Sequence, residues 1–272
     1  MSSAMERALD VAPKAVRPSL RARAIPPLAV AAGLVALFAM AADLGLSPGA
    51  LAAGAGKLGR FLATMLPPSD GGDLMRIVRA LGETFAMAFA GTVLAALAAL
   101  PLGVVGAKSV VAQPALHFGF RRALDIFRGV PALVWALIFV AAFGLGPFGG
   151  VLALAIADVP GLAKLYAEAI ENADEKPIEG LRAAGAAPPV MLRYGLLPQV
   201  APVMASQTLF YLESNFRHAA VLGIVGAGGI GFELEERIRI FAFDEVAFIV
   251  ILYVACVAAL DLVSQRVRAR LA

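Results

Sequence analysis

The sequence predicts an all-α integral membrane protein with six transmembrane helices, and three observations carry this. The 272-residue chain is 60% hydrophobic and 16% charged, with a mean hydropathy of +0.83. A soluble domain is about half apolar and about a quarter charged, so this chain holds more apolar surface than one soluble core can hide. Six runs are apolar over the ~20 residues that a helix needs to cross hydrocarbon. Lys and Arg gather mainly in alternate connections, as the positive-inside rule requires.

Residues 1–24 form a basic tail containing Arg7, Lys14, Arg17, Arg21 and Arg23. No small-residue cleavage site closes the apolar run behind it, so Ile25–Leu46 is expected as a retained first helix. Residues 47–80 form an outer, periplasmic segment, in which Leu51–Met65 and Leu74–Leu81 are amphipathic and suit the membrane surface. The other spans are Leu81–Gly106, Ala123–Leu145, Phe148–Ala167, Val200–Val225 and Val246–Ser264, making a core over residues 81–264. Gly146-Pro147 turns the third into the fourth. The fifth carries Glu213, Arg217 and His218 and is the least apolar. Lys108, Arg121, Arg122, Lys176, Arg182 and Arg193 fall on the same side as the N-terminal tail. So does the C-terminal tail, residues 265–272, with Arg266, Arg268 and Arg270. Both termini are therefore expected in the cytoplasm. Lys57, Arg60, Arg76, Arg79, Arg237 and Arg239 fall on the outer side.

The net charge of +3 comes from dispersed residues rather than a stripe, which argues against nucleic-acid binding. The single cysteine, Cys256, lies in an apolar run and excludes an intramolecular disulfide or a Cys-rich metal site.

Residues 168–198 are too polar to span and too few to fold alone. Pro177 suits the first turn of a helix, Asp174 and Glu175 its positive end, and Gly185 its C-terminal cap. The expected helix, Pro177–Ala184, is too short to be stable alone in water. Ile178, Leu181 and Ala184 make one small apolar face, flanked by Glu179 and Arg182. Pro188-Pro189 breaks the chain before a second short turn, Val190–Leu197.

The frame of Glu179, Gly185 and Leu197-Pro198 resembles the "EAA" loop of ATP-binding-cassette (ABC) importer permeases. That loop reads Glu-Ala-Ala, three residues, Gly, nine residues, a hydrophobic residue, one residue, Leu-Pro. This chain departs from it at Gly180 and Leu181, where the family usually has alanines, and at Gly195, where it usually has isoleucine. The resemblance implies a coupling helix that sits in a groove of a cytoplasmic ATPase. The contact residues would be Glu179, Leu181, Arg182, Gly185, Ala186, Leu197 and Pro198.

Gly226-Ala-Gly228-Gly229-Ile-Gly231 fits G-x-G-x-x-G, with Ala219–Val225 before it as a possible strand. A dinucleotide fold is rejected: no strand–helix alternation surrounds the run, and Glu233, Glu235 and Glu236 follow where a pyrophosphate needs positive charge. Glycines at the end of a span instead allow close helix approach or a turn of the backbone.

The run from Val221 to Gly231 resembles the end of the fifth core helix in phosphonate, methionine and betaine permeases. Glu83-Thr-Phe-Ala-Met-Ala-Phe-Ala-Gly-Thr with Ala99-Leu-Pro-Leu-Gly103 resembles the start of the permease core. Asp125-Ile-Phe-Arg128-Gly-Val-Pro131-Ala-Leu-Val-Trp135 and Arg193-Tyr-Gly-Leu-Leu-Pro-Gln199 resemble phosphonate permeases. The resemblance covers about Leu81 to Ser264 and implies a type I ABC-importer core in helices 2–6, behind an extra N-terminal helix.

Ionisable groups at bilayer depth cost at least ~2.5–3.5 kcal/mol, so they face the protein, water or one another. Arg128, Asp158, Lys164, Glu213, Arg217 and His218 are the candidates. Glu213 and Arg217 are four apart, on one helical face, and could pair. Arg128 and Arg217 have the guanidinium geometry for phosphonate oxygens, or else serve as structural ion pairs and helix-end charges. Trp135 is read as a packing residue whose indole N–H needs a partner.

The resemblance implies a permease for a phosphonate, phosphite or related phosphorus oxyanion, in the bacterial inner membrane. It also implies a homodimer with the pathway at its interface, two ATPase subunits on the loops and a periplasmic binding protein outside. ATP and Mg would bind the ATPase, since this chain has no G-x-x-x-x-G-K-[ST] and no catalytic or metal constellation. A methionine or other small-solute permease is the alternative within the class. An ion-coupled secondary transporter lacks its usual support here, because no inverted repeat is visible.

Overall fold

A computed structural model describes residues 20–108 and 113–271; the basic residues Arg7, Lys14 and Arg17 of the tail lie outside these. Every regular element among the described residues is helical. The chain divides into two units, residues 1–64 and 65–272, each taken by itself below.

In the first unit, α1 (Leu20–Asp43) holds the first apolar run, and no residue of its span-length stretch Ile25–Asp43 is buried. The helix stops three residues short of the expected Leu46. Gly45, at φ +70°, reverses the chain there, and the Leu46 N–H returns to the Ala41 carbonyl at 2.8 Å. Ser47 then caps α2 (Pro48–Ala63), its Oγ accepting the Ala50 N–H at 3.0 Å.

The second unit opens with α3 (Leu74–Gly106), 33 residues and about 50 Å long. The segment expected to lie separately on the surface, Leu74–Leu81, is the start of this helix. No Gly or Pro interrupts residues 74–81, so the helix does not break there. The span expected over Ala123–Leu145 is two helices, α4 (Pro114–Arg128) and α5 (Ala132–Phe143), bent by 73°. Pro131 has no N–H to continue the ladder and pushes Val130 out of the helical region.

After the Gly146-Pro147 turn, α6 (Pro147–Glu171) returns. The polar loop carries α7 (Lys176–Ala183) and α8 (Pro188–Met191). A π-helical turn, Leu192–Leu196, leads directly into α9 (Leu197–Leu222). A second wide turn, Gly223–Ala227, leads to α10 (Gly229–Arg239), and α11 (Phe243–Leu271) ends the unit. Among the described residues, four helices are long and apolar enough to span: the Ile25–Asp43 part of α1, α3, α6 and α11. The bent α4–α5 pair makes five. At 26 residues α9 is long enough, but it is not apolar enough to be counted with them.

The core forms where α3, α6 and α9 meet. Lipid gives no hydrophobic drive between helices, so close contact depends on small residues. The buried stripe of α3 supplies them: Ala88, Gly91, Ala95, Ala99, Gly103 and Gly106. A Cβ on Gly91 would stand 2.8 Å from Leu154 Cβ, and one on Gly103 2.7 Å from Tyr166 Cβ. Gly103→Val should therefore lower stability by about 1–3 kcal/mol through overpacking. Gly56→Ala in α2, with nothing within 4 Å of its Cβ, should not. Thermal unfolding of the detergent-solubilised protein compares the two, and equal midpoints would contradict this packing.

Candidate functional site

The polar loop folds as a capped helix on a seat. Pro177 stands in the first turn of α7, and the Lys176 N–H reaches Asp174 Oδ1 at 3.1 Å. At the other end, Gly185 adopts φ +77°. Its N–H meets the Arg182 carbonyl and the Ala186 N–H the Leu181 carbonyl, each at 3.0 Å. This paired arrangement satisfies carbonyls that a helix end would leave open. Glu179, Gly180, Arg182 and Gly185 are exposed, whereas Ile178 and Leu181 are half-buried.

The seat is Gly195, which is buried. A Cβ there would lie 3.0 Å from Ile178 Cγ1 and 3.3 Å from Leu181 Cδ1. This gives a physical reason for two of the sequence's departures. Against the EAA pattern, a small residue is exchanged for Leu181 on the helix and a large one for Gly195 beneath it. The volume moves across the contact.

The expected separate turn Val190–Leu197 does not form. Its residues run continuously from α8 through the π-helical turn into α9, where Leu197 and Pro198 are the first residues. Pro198 cannot donate to the turn before it, and its ring crowds that turn's carbonyls. The wider π spacing relieves both problems.

The glycine run is a helix reversal. Residues 219–224 are helical, not a strand, and the kink begins at Val225. Gly226, Gly228 and Gly229 adopt φ of +95°, +81° and +70°, values that a side chain would strain. The Gly226 carbonyl accepts the Gly146 N–H at 3.0 Å, joining this turn to the start of α6. Glu83 and Thr84 of α3 receive the N-terminus of α10: Glu83 Oε2 accepts the Gly229 N–H at 3.3 Å and Thr84 Oγ1 the Ile230 N–H at 2.8 Å. A side chain on Gly231 would overlap the Ala220 carbonyl, so α10 can approach α9 this closely only with glycine there.

The structure does not pair Glu213 with Arg217. Glu213, 7% exposed, meets Arg268 at 2.7 Å, and Arg217 meets Asp261 at 3.5 Å. Both partners belong to α11, which runs antiparallel to α9 and brings a cross-helix charge closer than the next turn does. Arg128 is exposed and makes no ion pair among the described residues. Trp135 stacks between Phe127 and Phe139, with ring centroids 6.5 and 6.1 Å away, and its buried indole N–H finds no partner among the described residues. The sequence-predicted pathway residues thus do not converge on one point. Lys164 pairs with Asp125 at 3.3 Å, tying α6 to α4.

Two polar clusters were not read from the sequence. Buried Asn215 donates to Thr92 Oγ1 at 2.9 Å and to Asp158. Arg237, 3% exposed, meets Glu233 at 2.5 Å, Glu245 at 2.8 Å and Asp73 at 3.7 Å, while Arg76 meets Glu233 at 2.9 Å. The four-residue spacing of Glu233 and Arg237 was a visible signal for the second cluster. The first joins residues 92, 158 and 215, and no local spacing announces it.

A polytopic helical chain presenting a capped helix on a polar loop has the build of a transport permease. The chain belongs to the family described as binding-protein-dependent transport system inner membrane component, whose model matches residues 99–272. It is similar to the phosphite transport system permease protein PtxC of Stutzerimonas stutzeri, at 43% identity over 208 residues, 76% of this chain and 75% of that one. It is also similar to the phosphate-import permease protein PhnE of Mycolicibacterium smegmatis, at 37% identity over 207 residues, 76% of this chain and 39% of that one. An inward-facing structure of the MetNI methionine ABC transporter contains a similar chain. There the TM-score is 0.64 at 25% identity, over 74% of this chain and 99% of that one. The protein is thus a membrane component of a transport system and not an enzyme.

The exchanged volume at the loop is open to test. Gly195→Ile alone should cost about 1–3 kcal/mol of stability by overpacking, and adding Leu181→Ala should recover most of it. Denaturation midpoints of the two single variants and the double variant measure the coupling. Strictly additive costs would show that the two positions do not touch.

Proposed function

We propose that this chain is the transmembrane subunit of an ABC importer that carries a phosphorus oxyanion, such as phosphite, phosphate or a phosphonate, inward by alternating access. The observation that carries the reading is α7. It is a short helix, capped at Gly185 and seated on Gly195, whose exposed side presents Glu179 and Arg182 to a further partner. A cytoplasmic ATPase that binds ATP and Mg is the partner this implies, one on each of two copies of this chain. A periplasmic binding protein supplies cargo from outside. The names of the similar permeases support phosphite or phosphate as cargo.

In this reading the protein has six spans: α1, α3, the bent α4–α5 pair, α6, α9 and α11. Polar α9 crosses because its partners shield its charges. Both termini and the 168–198 loop are cytoplasmic, and α1 is an extra helix ahead of the permease core. Gly226, Gly228, Gly229 and Gly231 shape the reversal at the outer end of α9. Arg128 is the stronger pathway candidate, since its charge is unspent among the described residues. Arg217 is partly neutralised by Asp261, and Glu213 is held by Arg268. Trp135 stacks near Arg128 through Phe127 and shapes that wall.

Glu179→Ala, or a bulky residue at Gly185, should abolish ATP-driven uptake while membrane insertion persists. Normal uptake by well-expressed variants would refute the coupling role. Arg128→Gln should reduce phosphite uptake at least about tenfold if it loses one charge-assisted contact, with Arg217→Gln reducing it less. Proteoliposomes holding this chain, its ATPase and its binding protein measure both. Uptake of methionine in place of phosphite and phosphate would reassign the cargo.

A further inference from the structure

We propose that α6, the 168–198 loop and α9 form one rigid lever, held by a polar seam whose side chains are positioning residues for transport. This rests on the reading of α7 as the ATPase-docking helix. The loop that carries α7 joins the end of α6 to the start of α9, so any force on α7 enters these two antiparallel helices first.

Three polar links tie them at nearly constant intervals. At the loop end, Gln199 pairs with the backbone of Asp174: its Oε1 accepts the Asp174 N–H at 2.8 Å, and its Nε2 donates to the Asp174 carbonyl at 3.1 Å. Further in, Tyr166 and Thr208 join at 2.6 Å. The Thr208 hydroxyl donates to the Met204 carbonyl at 2.8 Å, so the proton between the two comes from Tyr166. Deepest, Asn215 donates to Asp158. The links step by eight residues on one side, from Asp158 and Tyr166 in α6 to Asp174 three residues past its end, and by seven to nine, about two turns, along α9. Between them, Gly161 leaves the room that Tyr211 fills; a Cβ there would overlap its hydroxyl.

The seam is anchored at both ends. Gln199 Nε2 also donates to the carbonyl of Gly195 at 2.7 Å, and Gly195 seats Ile178 and Leu181 of the coupling helix. Asn215 also donates to Thr92 Oγ1 at 2.9 Å, and Thr92 holds the Ala88 carbonyl at 2.7 Å within α3. The links, connected through the backbones of α6 and α9, therefore run from α7 to the middle of the core. A slip of α9 along α6 would break all three links, and at the inner two, Tyr166–Thr208 and Asn215–Asp158, would leave the groups unpaired in an apolar medium.

The test uses the full transporter in nanodiscs, this chain with its ATPase and binding protein, in a Cys256→Ser background. Spin labels replace exposed Phe148 and Val221, near the outer ends of α6 and α9. Their separation should be the same in the nucleotide-free and vanadate-trapped states. Asp158→Asn keeps an acceptor for Asn215 and should preserve that constancy. Asp158→Leu combined with Thr208→Val should make the separation state-dependent. The same pair should cut ATP-driven phosphite uptake at least about fivefold, with ATP hydrolysis within about twofold of wild type.

A separation that changes between states in the wild type overturns the lever. So does a Leu/Val variant with unchanged separation and uptake. If that variant does not assemble, Tyr166→Phe, which removes one hydroxyl, is read the same way. A wild-type complex that takes up no phosphite but keeps the fixed separation supports the lever and removes only the cargo assignment.

Discussion

Hydrocarbon offers no partner to a polar group, and most of this structure follows from that constraint. Every N–H and C=O within the bilayer must be satisfied by the protein itself, which leaves helices as the only economical form for this chain. Where the helical ladder fails, another group stands in. Pro131 breaks the third span, Pro198 widens the turn before α9, and the glycine reversal is received by Glu83 and Thr84. Some side-chain donors follow the same rule, although the Trp135 indole N–H and Asn215 Oδ1 have no hydrogen-bond partner among the described residues. Asn215, fully buried, spends both amide hydrogens on Thr92 and Asp158.

Magnitudes decide what such links do. An interhelical hydrogen bond in a membrane protein averages about 0.6 kcal/mol and reaches at most about 1.7 kcal/mol. The two that join α6 to α9 directly, at Tyr166 and Asp158, therefore add only about 1 kcal/mol to stability, less than misplacing one side chain in the glycine-lined contact of α3 with α6 can cost. Their larger effect is on register, since helix packing through small residues alone fixes separation better than it fixes sliding. Glycines bring α3 close to α6, and polar pairs keep α9 in step with α6.

Much of this was legible in the sequence, for identifiable reasons. Composition and span length depend on bulk transfer energies, and they gave the all-helical membrane class. The cap of α7 depends on Pro177 and Gly185, whose backbone preferences are local, and the helix lies within one residue of its expected bounds. The Glu–Gly–Leu-Pro frame and the glycine run likewise pointed to the family that the comparisons show. What failed depended on neighbours. The Glu213–Arg217 pairing obeyed helix spacing, but Arg268 and Asp261 on α11 won, because a cross-helix partner is invisible to spacing. The Asp158–Asn215–Thr92 cluster was missed for the same reason. The bend at Gly129–Pro131 was a different kind of miss: the breaker was in plain view, and apolar length overrode it.

If α6, the loop and α9 hold one register, the flexibility an alternating-access cycle needs must fall elsewhere. Bending is cheapest where helical hydrogen bonds are already absent. Two places meet that condition beside the rigid pair. One is the 73° bend between α4 and α5, where Pro131 has removed a donor. The other is the wide turn Gly223–Ala227, where Val225 and Gly226 already depart from helical φ/ψ, Gly226 at φ +95°. The two are linked, because Gly146, which closes the turn after α5, donates to the carbonyl of Gly226. A change of angle at one is therefore felt at the other. The glycine run, which reads in the sequence as a weak nucleotide signature, acquires a mechanical meaning: it ends the stiff part of α9 at the point where α5, α6 and α10 converge.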